Sequence, residues 1–191
     1  MKKFLMTGVL ALLVTVGNAL ATNPIKKDVP VKDATVTWVG KKVTGSHTGT
    51  INLKEGNLVM EGDALVGGTF VIDMTTIQVT DLQAGRGKEK LEGHLNSGDF
   101  FGVEEFPTAT FEITKATKSD NGYAIVGNMT IKGVTESMEV NLTMDGNTMT
   151  TQLLVDRTKF GIRYGSASFV DNLKNKAIND DFELNLSLIH I

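Results

Sequence analysis

The stretch ATFEITKATKSDNGYAIVGNMTIKGVTESMEVNLTMDGN, Ala109 to Asn147, decides the fold. Ala109, Phe111 and Ile113 alternate with Thr110, Glu112 and Thr114. Tyr123, Ile125, Met129 and Ile131 share one parity, with Asn128, Thr130 and Lys132 on the other. Met138, Val140, Leu142 and Met144 alternate with Glu139, Asn141, Thr143 and Asp145. A period of two is that of a strand with one buried face. SDNG (Ser119–Gly122) and MDGN (Met144–Asn147) have the residue types of hairpin connections. The stretch therefore reads as consecutive antiparallel strands.

Working outward, Phe70, Ile72 and Met74 alternate with Val71, Asp73 and Thr75. Phe182, Leu184, Leu186 and Leu188 alternate with Glu183, Asn185 and Ser187. Weaker strand patterns run over Ala34–Lys41, His47–Leu53 and Met149–Arg157. KEGN (Lys54–Asn57) reads as another turn, and Gly67-Gly68 as a bulge or point of sharp coiling. Helical signal is confined to GKEKLEGHLNS (Gly87–Ser97), with Leu91, His94 and Leu95 on one face, and to a short turn within Phe169–Asp180. The pattern gives an all-β chain of about eight antiparallel strands with one or two short helices. It fits a barrel or a sandwich. A barrel is preferred because the strands are long and carry no edge-protecting proline.

The chain has 191 residues, no cysteine and a formal charge of -3. That length fits one domain with a substantial core. The charge balance argues against a nucleic-acid binder. MKKFLMTGVLALLVTVGNALA combines Lys2 and Lys3, an apolar run from Phe4 to Val16, and small residues at Ala19 and Ala21. This is the signal-peptide pattern, and the run is short of the roughly 20 apolar residues a spanning helix needs. Export to a periplasm or beyond, with cleavage near Ala21, is the expectation. Losing Lys2 and Lys3 takes the formal charge from -3 to -5. Residues 1–21 are thus expected to be a signal peptide, 22–33 a polar leader holding two prolines, and 34–191 the barrel. Without cysteine, a hydrophobic core rather than disulfides must hold an exported fold.

Motifs for catalysis are missing. His47, His94 and His190 are scattered, and no H-E-x-x-H pattern is present. Ser166 lies in RYGSAS, which lacks the G-x-S-x-G elbow. Glu104 and Glu105 are adjacent, point apart if extended, and precede Pro107, so they read as solvated charges. One enzymatic alternative pairs His94 with Glu92 or Asp99. Arg157 and Arg163 could hold an anionic head group or bridge to Asp156 or Asp171. Phenylalanines cluster at Phe100, Phe101, Phe106 and Phe111, with Phe160, Phe169 and Phe182 later. Met74, Met129, Met138, Met144 and Met149 fall on inward parities. Either they fill a core, or they line a pocket for a flexible chain.

Several motifs carry a resemblance: VTWVGKKVTGSHTGTINLKEG, LVGGTFVIDMTTIQVTDL, KLEGHLNSGDFFGVEEFPTATFEIT, GNMTIKGVTESMEV and VDRTKFGIRYGSASF. In this order, from about Val31 to Leu188, the chain resembles the YceI-like family of exported bacterial lipid- or polyisoprenoid-binding proteins. The resemblance implies a lipocalin-like antiparallel β-barrel that holds an isoprenoid or isoprenoid quinone, with no fixed catalytic set and no cofactor. It implies a lining of Trp38, Phe70, Ile72, Met74, Phe111, Ile113, Ile125 and Met129. Leu91, Leu95, Phe100 and Phe101 would cap it, with Phe160 and Tyr164 from the last motif. The loop Gln83–Glu89 departs from the family pattern. The resemblance implies no nucleic acid and no membrane span, and leaves a homodimer open.

Overall fold

The computed structural model describes residues 25–190; the expected signal peptide lies outside them. Eight antiparallel strands follow one another around a closed barrel. They are β1 (Lys26–Lys42), β2 (Gly45–Glu61), β3 (Ala64–Val79), β4 (Thr108–Ser119), β5 (Gly122–Ile131), β6 (Val134–Asp145), β7 (Thr148–Asp156) and β8 (Ile178–His190). β8 pairs back onto β1, with Trp38 opposite Leu184, so no sheet edge is left along that seam. One α-helix, α1 (Lys88–Asn96), and two 3₁₀ turns, Arg157–Phe160 and Lys174–Lys176, lie in the connections. α1 and the Lys174–Lys176 turn fall where the sequence places helical signal, whereas the Arg157–Phe160 turn was not among its helical stretches.

The alternation reads correctly onto the barrel. Phe70, Met74, Ala109, Ile113, Ile125, Met129, Val140, Leu142 and Leu188 are buried. Their polar neighbours form the outer face. The SDNG and MDGN turns join β4 to β5 and β6 to β7. Gly67 sits at a register shift between β2 and β3, as its pairing with Gly68 predicts.

Two expectations need correction. The leader at Thr22–Asp33 is, from Lys26 onward, the first part of β1. Val29 pairs with Leu58 and is buried. Pro30 is tolerated because the β8 ladder begins only at Val31 opposite His190. KEGN is not a turn either: Lys54–Asn57 lies inside β2, at a register shift between Leu53 and Glu55. A Cβ on Gly56 would come within 2.9 Å of Leu53 and Val31 side-chain carbons. That glycine allows close packing, and the real turn is Gly62-Asp63.

The two ends of the barrel differ. At one, Leu58, Leu65 and Met149 are fully buried, and the Tyr123 hydroxyl donates to Asp63 O at 3.3 Å and accepts from Leu65 N at 3.2 Å. That end is closed. The other end carries α1, the 97–107 connection and the 157–177 excursion. Beside it β6 and β7 share only three pairs, Thr143–Thr150 to Asp145–Thr148, and then part. The Arg157–Phe160 turn packs against β6 and fills that gap, with Phe160 2% and Ile162 0% exposed.

Candidate functional site

The barrel is hollow. A cavity of about 650 Å³ runs through it from the α1 end. Its wall is made by the inward parity of every strand: Val36 and Trp38 of β1, Ile51 and Leu58 of β2, Phe70 and Ile72 of β3, Ala109 and Phe111 of β4, Ile125 and Met129 of β5, Val140 and Leu142 of β6, Leu153 of β7, Leu184 and Leu186 of β8. The volume lies within the range of small-molecule sites.

Two glycines explain why aromatic side chains leave space inside. Trp38 faces Gly49 across the β1–β2 ladder. A Cβ on Gly49 would lie 2.3 Å from Trp38 Cζ2. A Cβ on Gly127 would lie 2.3 Å from Phe111 Cζ. Each ring therefore lies flat over a glycine on the neighbouring strand instead of reaching across the lumen. The ring contributes apolar surface to the wall without filling the void.

The expected lining residues Trp38, Phe70, Ile72, Met74, Phe111, Ile113, Ile125 and Met129 all face this cavity, as do Leu91, Leu95, Phe100, Phe101 and Tyr164. Phe160 does not: it fills the β6–β7 gap instead. Among the inward methionines, Met74, Met129 and Met149 reach the cavity, whereas Met138 and Met144 do not line it and pack, partly buried, against the core. Residues the sequence did not single out as lining include Val36, Leu142, Leu153 and Leu184, which inward parity alone could have found.

Arg157 touches the cavity but is committed elsewhere. It is 2% exposed, and its Nε, Nη1 and Nη2 donate to Asn179 O (3.0 Å), Ile162 O (2.8 Å) and Ile178 O (3.1 Å). Its ion pair is with Asp180, at 3.5 Å, rather than Asp156 or Asp171. Asp156 instead accepts from Thr158 N at 2.9 Å and caps the 3₁₀ turn. Arg163 stands outside the cavity, with its guanidinium 4.5 Å from the Phe169 ring centre. Its short connection turns it to solvent, away from the lumen.

The mouth is polar. Lys41, Lys42, His47, Lys90, Asn175, Lys176, Asn179 and Asp181 surround the opening. A shallow vestibule beside it shares Lys42, His47, Lys90, Leu91, His94 and Tyr164, and adds Ser97 and Asp99. Lys41 is ion-paired with Glu183. His47 Nδ1 meets Asp81 Oδ2 at 2.9 Å, and Thr48 N donates to Asp81 Oδ1 at 3.1 Å. Burial raises the Asp81 pKa, but these hydrogen bonds outweigh it and hold the carboxyl below its usual value. At Asp180 burial is likewise outweighed, by hydrogen bonds from Ser166 and Ser168 and by Arg157.

Both carboxylates have lowered folded-state pKa values, so their contribution to stability is present above the unfolded value of about 3.9 and is lost below it. Urea midpoints measured from pH 6 to pH 3 should fall most steeply below about pH 4. In an Asp81→Asn/Asp180→Asn protein that fall should be shallower. An unchanged slope would mean other carboxylates dominate acid unfolding.

Of the residues of the enzymatic alternative, Glu92 and His94 make contacts within the fold, while Asp99 stands exposed in the vestibule. Glu92 Oε1 accepts from Val79 N at 2.9 Å and so ties α1 to β3. The His94 ring packs edge-on against Tyr164 (4.4 Å) and Phe100 (5.5 Å). Its Nε2 is buried with no hydrogen-bond partner among the described residues. The ring as a whole borders both the lumen and the vestibule, so the packing encloses this nitrogen and not the entire side chain. Among the described residues no group of three or more His, Asp or Glu side chains could hold a metal ion.

Comparison with known proteins matches this architecture. The chain is 31% identical over 140 residues to a UPF0312 protein of Yersinia pestis (strain Pestoides F), covering 72% of this chain and 70% of the relative. It is 39% identical over 87 residues to a UPF0312 protein of Staphylococcus aureus, covering 40% of this chain and 48% of the relative. BcnA of Burkholderia cenocepacia shares the fold with a TM-score of 0.63 at 19% identity, over 82% of this chain and 95% of that one. A polyisoprenoid binding domain from Saccharophagus degradans does so with a TM-score of 0.57 at 11% identity, over 85% and 97%. The YceI-like domain matches residues 28–189, which takes in nearly all of β1 through β8. With the barrel, its α1 cap and that match in agreement, the chain belongs to the YceI-like family.

Proposed function

We propose that this chain is a non-enzymatic carrier or store for an isoprenoid or similar amphiphilic lipid, held by its tail in the lumen. The observation that carries the reading is the cavity itself: about 650 Å³, apolar along its length, shut at one end and polar-rimmed at the other. A one-ended apolar lumen suits a molecule with an apolar tail and a polar head. The Saccharophagus domain with the same fold is a polyisoprenoid binding domain, which supports the same class of ligand. The signal-peptide pattern at residues 1–21 supports a periplasmic or secreted setting.

Volume sets the length of tail. An apolar cavity of about 150 Å³ holds one benzene, or six carbons, so this lumen holds on the order of 25 carbons. Each buried methylene contributes about 0.8 kcal/mol before ordering costs, so the tail alone can supply the affinity. In a series of prenyl alcohols from C10 to C40, affinity should climb with each isoprene unit and level off near C25. Fluorescence titration or calorimetry reads this directly. No uptake of any tail, or affinity independent of length, would defeat the proposal.

A barrel with a filled interior that acts only through protein partners is disfavoured by the same volume. For an enzyme built on His94, no hydrogen bond joins its ring to Glu92 or Asp99 among the described residues, and Glu92 is committed to Val79 N.

A further inference from the structure

The mouth of the barrel carries features that tail binding does not need. Val43 is 63% exposed and sits in the β1–β2 turn, anchored by Val43 N donating to Ala177 O at 3.2 Å. Tyr164, at the opening, is 50% exposed. Phe169 and Val170 are 50% and 46% exposed, on an excursion tied back to the barrel by Ile178 N donating to Gly165 O at 2.8 Å. A second hydrogen bond, from Ser168 Oγ to Asp180 at 2.6 Å, holds the same excursion. Four exposed apolar side chains thus lie on the turn and excursion at the open end of a chain that is acidic overall, with Tyr164 bordering the opening itself.

Cations accompany them. Lys42, Lys90 and Lys176 surround the mouth and form no ion pair among the described residues. Arg163 and Lys174 lie on the excursion. The facing acids are Asp99 in the vestibule, Asp181 at the rim and Asp171 on the excursion. Among the residues that line the mouth and vestibule, the unpaired Lys42, Lys90 and Lys176 outnumber Asp99 and Asp181, against the sign of the whole chain. Apolar tips among unpaired lysines are the composition of a surface that lies on an anionic bilayer, with the apolar groups in the interface and the cations at the head groups.

We propose that the open rim of the barrel docks on an anionic lipid surface, pressing Val43, Tyr164, Phe169 and Val170 into the interface so that the lumen opens onto the bilayer. That docking would serve loading or release rests on the tail-binding reading above; the docking itself does not. Lipid would then pass between bilayer and lumen without its tail crossing water.

Vesicle flotation tests this with the chain lacking residues 1–21. Binding to vesicles of equal phosphatidylglycerol and phosphatidylcholine should exceed binding to pure phosphatidylcholine by at least about tenfold. It should collapse as salt rises from about 0.1 M to about 1 M, where the screening length falls from about 10 Å to about 3 Å. Val43→Ser/Phe169→Ser/Val170→Ser, all outside the cavity wall, should lose flotation while binding a solubilised fluorescent farnesol as the parent does. Equal flotation with both vesicle types, none with either, or full flotation of the triple variant overturns the proposal. Light scattering that finds a dimer broken by the same substitutions, with no flotation, assigns the face to a second copy of the chain instead. Flotation without farnesol uptake would leave docking standing and defeat the tail-binding reading.

Discussion

Replacing Arg157 by methionine should lower the stability of the barrel by about 3–5 kcal/mol, the cost of breaking a buried, hydrogen-bonded charge by removing one partner. For a chain of this length that is a fall in melting temperature on the order of 10 °C. The guanidinium is 2% exposed and serves three carbonyls, at Ile162, Ile178 and Asn179, that would be left without this donor. It thereby ties the end of β7 to the start of β8 across a connection of twenty-one residues, 157–177. Methionine matches the stem but leaves those carbonyls and Asp180 without a cation. Asp180→Asn should cost much less, because the carboxylate is partly solvated and Arg157 keeps its carbonyl partners. Urea unfolding of both variants separates the two effects. An Arg157→Met protein within about 1 kcal/mol of the parent would show that water replaces the guanidinium at those carbonyls.

Arg157 also marks the boundary of what the sequence reveals. Period-two alternation fixes which side chains point inward, because a slip of one residue would turn a whole strand inside out. Phe70, Phe111, Ile125 and Leu184 were therefore readable as interior. Arg157 lies past the end of β7, where alternation stops, and its partners are backbone carbonyls that no side-chain pattern announces. Phe160 fails for the same reason: its place depends on β6 and β7 parting after three pairs, which is a property of the barrel. Turns were legible where asparagine or aspartate precedes glycine. Lys132-Gly133 was not, since a lysine held at φ 51° owes its conformation to the fold around it; its ammonium reaches Gly98 O at 2.6 Å.

Hollowness itself was out of reach of the pattern. Inward apolar residues are equally compatible with a packed interior and an empty one, because barrel radius follows from strand number and stagger. The glycines under Trp38 and Phe111 are the nearest thing to a signal, and they acquire meaning only once the register sets Gly49 beside Trp38 and Gly127 beneath the Phe111 ring. The charged mouth is hidden likewise, since Lys42, Lys90 and Lys176 come from three distant parts of the chain.

Filling the lumen should separate its two roles. Ala109 is a small buried residue in the cavity wall, paired with Ile72. In Ala109→Phe the added ring takes up roughly the 150 Å³ of one benzene, close to a quarter of the space available. A C25 tail then loses room for about six carbons, worth about 5 kcal/mol before any saving in ordering. Its affinity should fall at least about tenfold, with a gross ceiling of about several thousandfold. A C15 tail, which never fills the lumen, should bind almost as before. The empty protein should become more stable, since the ring buries apolar surface in a void rather than overpacking a full core. That opposition of signs is the informative outcome. Had the interior been an ordinary core, the same ring would destabilise the fold, and uniform weakening for every tail length would point to that.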